Sequence, residues 1–241
     1  PLFFFTIKEL KGYLTPVFVC SLMISLAFTF YANALMETTI IRATLLFYLN
    51  PVLGTIIGLL WLSEKLTIAR LLSIFIAIIG LVLLLSNSNN SAHSLNIGDL
   101  YGFLSGLFWA LGAASLNRWS KVPILPLTCL VYLTSTILAI LFSLIIYNHD
   151  FPKTSQIISV LPTTVFWSVI ILLPGFMLIF KISQILFPGR VGILMMSEVI
   201  VAIISASILV PTETLLIWQW LGATAIILAA LIEIVFGYKK T

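Results

Sequence analysis

Eight stretches of about twenty mostly apolar residues fill nearly the whole sequence, at 14–36, 41–62, 67–86, 98–117, 125–147, 162–186, 191–210 and 214–236. About 20 such residues in a helix cross the roughly 30 Å of hydrocarbon in a bilayer. Inside that layer the backbone can satisfy its own N–H and C=O groups only as a helix or a closed barrel. Runs of this length, without two-residue alternation, predict an all-α transmembrane bundle. Only 8% of the 241 residues are charged, against roughly 25% in soluble domains, so lipid is the main solvent. The connections are short except for the polar segment Ser86-Asn-Ser-Asn-Asn-Ser-Ala-His-Ser-Leu-Asn96.

Positive charge sets the orientation. Lys8, Lys11, Lys65, Arg70, Arg118, Lys121, Lys181, Arg190, Lys239 and Lys240 fall on one side of the predicted bundle, and only Arg42 and Lys153 on the other. Lys and Arg in short loops favour the cytoplasm, so both ends of the sequence are expected there, in a bacterial cytoplasmic membrane. The basic residues form no stripe or patch, which excludes a nucleic-acid surface. Cys20 and Cys129 lie singly within apolar runs and His93 and His149 in loops, so no metal-ligand spacing, disulfide framework or catalytic constellation emerges. No cofactor and no enzymatic activity are expected. The first residues, Pro1-Leu-Phe-Phe-Phe-Thr-Ile7, lack a basic n-region and a cleavage site and read as the tail of an earlier span.

The chain also repeats itself. With an offset of 148, Asn50 falls on Glu198, Gly54 on Ala202 and Gly58 on Ala206. After one inserted residue Glu64 falls on Glu213, Arg70 on Gln219 and Ser73 on Gly222. Glu64 is predicted on the cytoplasmic side and Glu213 outside, so the two copies point in opposite directions. Inverted repeats of this kind mark many secondary transporters, with substrate sites near the midplane.

These features resemble the drug/metabolite transporter superfamily, and within it the EamA-like permeases. The resemblance rests on Tyr48-Leu-Asn-Pro51, Gly54-xxx-Gly58, Leu62-Ser-Glu-Lys65 and Ala77-Ile-Ile-Gly80. It is repeated in Met196-Ser-Glu-Val199, Ala202-Ile-Ile-Ser-Ala206, Thr212-Glu213 and Trp220-Leu-Gly222. Ser63 and Thr212 stand where the family usually has Gly, and Val199 where many members have Pro. The resemblance implies ten spans in two inverted five-span halves, eight of them present in an N-terminally truncated chain. Residues 1–86 then end the first repeat, 87–97 form an external linker, and 98–241 make the second repeat. It further implies export of a small polar metabolite, amino acid-like or drug-like, by alternating access. Exchange of nucleotide-sugar-like anions and a non-transporting scaffold are the rival readings.

Ionisable groups inside a span are costly and usually face a bundle interior or a cavity. Glu198 and Lys181 lie at similar depth on either side of the Pro188-Gly189 turn and are expected to face each other or a shared cavity, binding the charged ends of a zwitterion. Glu198 is also the candidate for a coupling proton. Tyr31 and Asn50 are the equivalent pair in the first copy, and Trp109 and Asn33 are further pathway candidates. Pro51, Pro174 and Gly175 are expected to kink or hinge their spans. Gly54, Gly58, Gly102, Gly106, Ala202 and Ala206 are expected to permit close helix packing. Glu64 and Glu213 are expected to cap the helices that follow them, Glu233 to lie at the interface, and Trp167, Trp218 and Trp220 to sit in an interfacial belt. The expected partners are the lipid bilayer and the small-molecule substrate, with a homodimer left open.

Overall fold

A computed structural model describes residues 12–38, 40–85, 96–146, 153–209 and 217–236. Every regular element among them is a helix. In chain order they are α1 (Leu14–Glu37), α2 (Ile40–Phe47), α3 (Asn50–Trp61), α4 (Ile68–Leu85), α5 (Ile97–Arg118), α6 (Ile124–Ile146) and α7 (Thr154–Phe166). A π-helical turn, Trp167–Leu172, joins α7 to α8 (Leu173–Ile185), which is followed by α9 (Pro188–Leu209) and α10 (Ile217–Phe236). Leu14–Glu37, Ile97–Arg118, Ile124–Ile145 and Thr154–Ile185 are each long and apolar enough to cross a bilayer. Asn50–Trp61, Ile68–Leu83 and Trp220–Ile232 are shorter apolar helices.

Two apolar runs depart from the expectation of single α-helices with the boundaries given above. The run 41–62 is broken between α2 and α3, where Tyr48 and Leu49 form a turn. Pro51 sits in the first turn of α3, where its missing N–H costs nothing but cannot continue α2. The run expected at 162–186 begins eight residues earlier, at Thr154. Its start was obscured by the polar Thr154-Ser-Gln156 and by Pro162, which lies inside α7. Trp167 is therefore within the span and not at its end.

Small residues decide which helices meet. One extensive interface joins α1 to α5, where Gly112 receives Ile24 so closely that an added methyl would lie 2.7 Å from its Cγ1. At the other end of α5, Gly98 faces the backbone of Glu37 and Thr38. Gly102 and Gly106 instead admit α2, Gly102 against Ala43 and Leu46 and Gly106 against the Phe47 carbonyl. Gly54 of α3 meets the Pro188–Gly189 backbone, and Gly192 meets Asn50 and Pro51, so α3 and α9 run antiparallel. Gly80 of α4 packs on Gly222, Ala225 and Ile226 of α10.

Gly58 serves a different purpose from the expected helix packing. The space a side chain would fill there is occupied by the Glu64 carboxylate. That carboxylate pairs with Arg70 of α4, and both side chains are buried. Ser63, with φ 54°, turns the chain back so that the Glu64 N–H reaches the Gly58 carbonyl at 3.0 Å. Glu64 is thus an ion-pair partner within the α3–α4 connection, where a helix cap was expected. The side chains of Ala202, Ala206 and Glu233, and all of Glu213, lie outside the described residues.

The α7–α8 span is the least covered, with 6% of its most apolar window buried. An apolar face turned outward is what acyl chains require of a span. At the far end of α1, a polar clamp holds α5. Asn96 accepts from the Asp99 N–H at 2.9 Å, and Asp99 accepts from the Asn96 N–H at 3.0 Å, forming a capping box. Thr38 of the α1 terminus donates to Asp99 at 3.1 Å, and Asn96 donates to the Glu37 carbonyl at 3.1 Å.

Candidate functional site

The break between α2 and α3 opens the middle of the bundle. A cavity of about 210 Å³ lies there, lined by Ala27, Phe28 and Tyr31 of α1, Phe47 and Tyr48 at the break, Trp109, Phe176, Met195 and Glu198. Phe28, Tyr31, Phe47, Trp109 and Phe176 surround it with ring faces and edges. Phe28 is 4.8 Å from Phe176 and 5.8 Å from Trp109 between centroids, and Phe47 is 5.1 Å from both Tyr31 and Tyr48. Tilted pairs at these separations are the favoured arrangement of aromatic quadrupoles, and they hold the wall in shape.

Among the described residues, Glu198 is the one carboxylate in this lining. It also borders a second cavity of about 230 Å³ between α8 and α9, whose other lining residues are Ile179, Ile182, Val191, Leu194 and Met195. A carboxylate next to aromatic faces attracts cations twice, by its charge and by the negative ring faces. Tyr31 and Tyr48 add hydroxyls to the wall, and the Tyr31 hydroxyl is 3.3 Å from that of Thr44.

Of the pathway candidates, the structure brings Glu198, Tyr31 and Trp109 to this one cavity. Asn33 is elsewhere, its amide donating to the Thr29 carbonyl of its own helix at 2.7 Å. Asn50 is buried beside Gly192 in the α3–α9 interface, and its amide has no hydrogen-bond partner among the described residues. Lys181 lies one residue past Phe180 on the exposed side of α8 and hydrogen-bonds Gln184 at 3.3 Å, not Glu198. Pro51 and Pro174 both occupy first-turn positions, after the α2 break and after the π-turn respectively. Gly175 faces open space. Phe28, Phe47, Phe176 and Met195 are not singled out by the sequence, and Tyr48 enters it only as part of the Tyr48-Leu-Asn-Pro51 motif. Phe28 stands one helical turn before Tyr31, and Phe47-Tyr48 precedes Leu49-Asn50, so aromatic residues near the polar candidates are the available signal.

The described helices thus form an all-helical bundle with an aromatic-lined cavity that Glu198 borders. Residues 1–86 match the model of the EamA-like transporter family. That family belongs to the drug/metabolite transporter superfamily. A solved crystal structure of a protein aligns over 93% of this chain and 89% of its own, with a TM-score of 0.61 and 15% identity. At that identity the likeness concerns the fold alone. No curated protein matches the chain.

Proposed function

We propose that the protein exports a small polar metabolite carrying an amine or other cationic group, by alternating access, across a bacterial cytoplasmic membrane with both ends of the chain in the cytoplasm. The two inverted copies, divided at 87–97, would rock against each other around the aromatic cavity. The observation that carries the reading is the placement of Glu198 as the single carboxylate in a wall of Phe28, Tyr31, Phe47, Tyr48, Trp109 and Phe176. The amine end of the substrate pairs with Glu198 while its apolar body lies on the rings. The zwitterion version loses its support, because Lys181 does not line the cavity. Glu198 also serves as the carrier of a coupling proton, alternating between proton and substrate.

The anion-exchange reading needs a basic cavity, and among the described residues no Lys, Arg or His lines it. A scaffold needs no internal space, whereas the chain keeps about 210 Å³ beside an ionisable group. The test is transport of a panel of small amines, amino acids and anionic metabolites into proteoliposomes, by the protein and by Glu198→Gln, from pH 6 to 8. A charge-assisted hydrogen bond contributes ~1.5–3 kcal/mol, so Glu198→Gln is expected to weaken amine transport by roughly 10- to 100-fold and to flatten its pH dependence. Unchanged amine transport in the variant at every pH sinks the role assigned to Glu198.

A further inference from the structure

Trp109 has two neighbourhoods. On one side it lines the aromatic cavity, and on the other it covers a narrow gap between Ile24, Ala113, Leu116, Phe180 and Ser183. That gap has no room for a water molecule. Ile24, Leu116 and Phe180 are each 1% exposed, so the layer is dry and closes the cavity on this side. A polar solute cannot pass it while it stays packed.

Just beyond the layer, three side chains tie helix ends together. Gln184 of α8 donates to the Val122 carbonyl, in the α5–α6 connection, at 2.7 Å. Asn117 of α5 donates to the Leu186 carbonyl at 3.0 Å. Arg118 donates to the Trp61 carbonyl at 3.3 Å, with its guanidinium 5.4 Å from the Trp61 ring centre. All three bonds run from a side chain to a backbone carbonyl of another element. They can be exchanged for water without unfolding any helix. Lys181 belongs to the same group: its ammonium donates to Gln184 Oε1 at 3.3 Å, which leaves the Gln184 amide nitrogen to face Val122.

We propose that this clasp, Gln184–Val122, Asn117–Leu186 and Arg118–Trp61, is the gate that holds the Trp109–Leu116–Phe180 layer shut at this end of the bundle, with Lys181 as the positioning residue for Gln184. The proposal rests on the transport reading and adds to it the part of the cycle in which the cavity is sealed on the Arg118 side. Substrate release on that side requires the clasp to break and α8 to part from the α5 terminus. Each bond of this kind shifts an equilibrium by roughly 2- to 10-fold. Together they make an element that a bound substrate can tip.

The test follows the accessibility of the layer and needs no substrate. The full chain carrying Cys20→Ser, Cys129→Ser and Ala113→Cys is placed in sealed vesicles. A membrane-impermeant thiol reagent is then applied from the side bearing Arg118. Gln184→Leu and Asn117→Leu are each expected to raise the labelling rate of the new cysteine about 2- to 10-fold. Lys181→Met is expected to raise it as well, and Lys181→Arg to restore the slow rate. Thr38→Val, which cuts a bond at the opposite end of α5, serves as the comparison and is expected to leave the rate unchanged. Equal labelling with and without the clasp overturns the proposal, and so does an equal rise in Thr38→Val. Arg118→Lys, which keeps the charge but loses the planar stacking group, gives a second route if a leucine variant fails to fold. The labelling rate is independent of transport, so failure of the Glu198 reading and failure of the gate are told apart.

Discussion

Removing Arg70 should cost more stability than removing any surface charge. Its side chain is 1% exposed and that of its partner Glu64 2%, and the carboxylate is pressed against Gly58 with no space for hydration. An exposed ion pair contributes ~0–1 kcal/mol. Deleting one member of a buried pair costs about 3–5 kcal/mol, because the other charge stays behind in a poorly polarisable site. Arg70→Met keeps most of the apolar stem and isolates that term. In a chain of this size about 1 kcal/mol moves the midpoint by ~2–4 °C, so Arg70→Met is expected to lower the melting temperature in detergent by roughly 6–20 °C. The double variant Glu64→Gln/Arg70→Met removes both charges and should recover most of the loss. Melting followed by tryptophan fluorescence on size-exclusion-purified protein measures both. A loss under about 2 °C in the single variant, or a double variant no better than the single, refutes the claim that burial of the pair sets the magnitude.

Three further outcomes follow from close contacts and caps. Gly54→Ala places a methyl 2.9 Å from the Pro188 carbonyl carbon and 3.0 Å from the Gly189 nitrogen. It should destabilise the protein by ~1–3 kcal/mol through overpacking of α3 on α9, read as a fall in melting temperature. Asp99→Ala leaves the Asn96 N–H and the Thr38 hydroxyl without this acceptor and is expected to cost ~1–3 kcal/mol, with Thr38→Val costing less in the same melt. Gly175→Ala meets open space and trades a poor helix former for the best one, so the melting temperature should hold or rise, by up to ~1 kcal/mol of stability; a clear fall contradicts the packing seen there.

How much of this was legible depended on whether the signal lay along a helix axis or around it. The apolar runs name the helices because the bilayer sets a length, and Pro51 announces the break before α3 because a missing N–H is visible in any sequence. Azimuth was not legible. Lys181 and Glu198 were placed level across the α8–α9 turn, yet Lys181 turns to Gln184 on its own helix while Glu198 turns to the cavity. Asn33 looked like a pathway residue because it is polar in a span, but its amide is satisfied by Thr29 one turn away. Glu64 reads locally as a cap, and its pairing with Arg70 depends on the positive-φ turn at Ser63, which a non-glycine residue does not advertise. The aromatic wall draws on α1, the α2–α3 break, α5 and α8, so no single stretch of sequence displays it.

The π-turn at Trp167–Leu172, in which the Leu173 N–H reaches back five residues to the Ser168 carbonyl, makes the α7–α8 span a helix with a phase step. One residue more than an α-helical turn needs is absorbed there, and each residue corresponds to about 100° of rotation. Pro174 favours keeping the step, since it has no N–H to offer the preceding turn. The span can therefore gain or lose a residue at this point without disturbing Phe176 or Phe180, which stay anchored in α8. What changes is the heading of α7, swung by about 100° about its own axis. Length variation among related chains should concentrate at this turn, and it would present a different face of α7 to the lipid while leaving the cavity wall as it is.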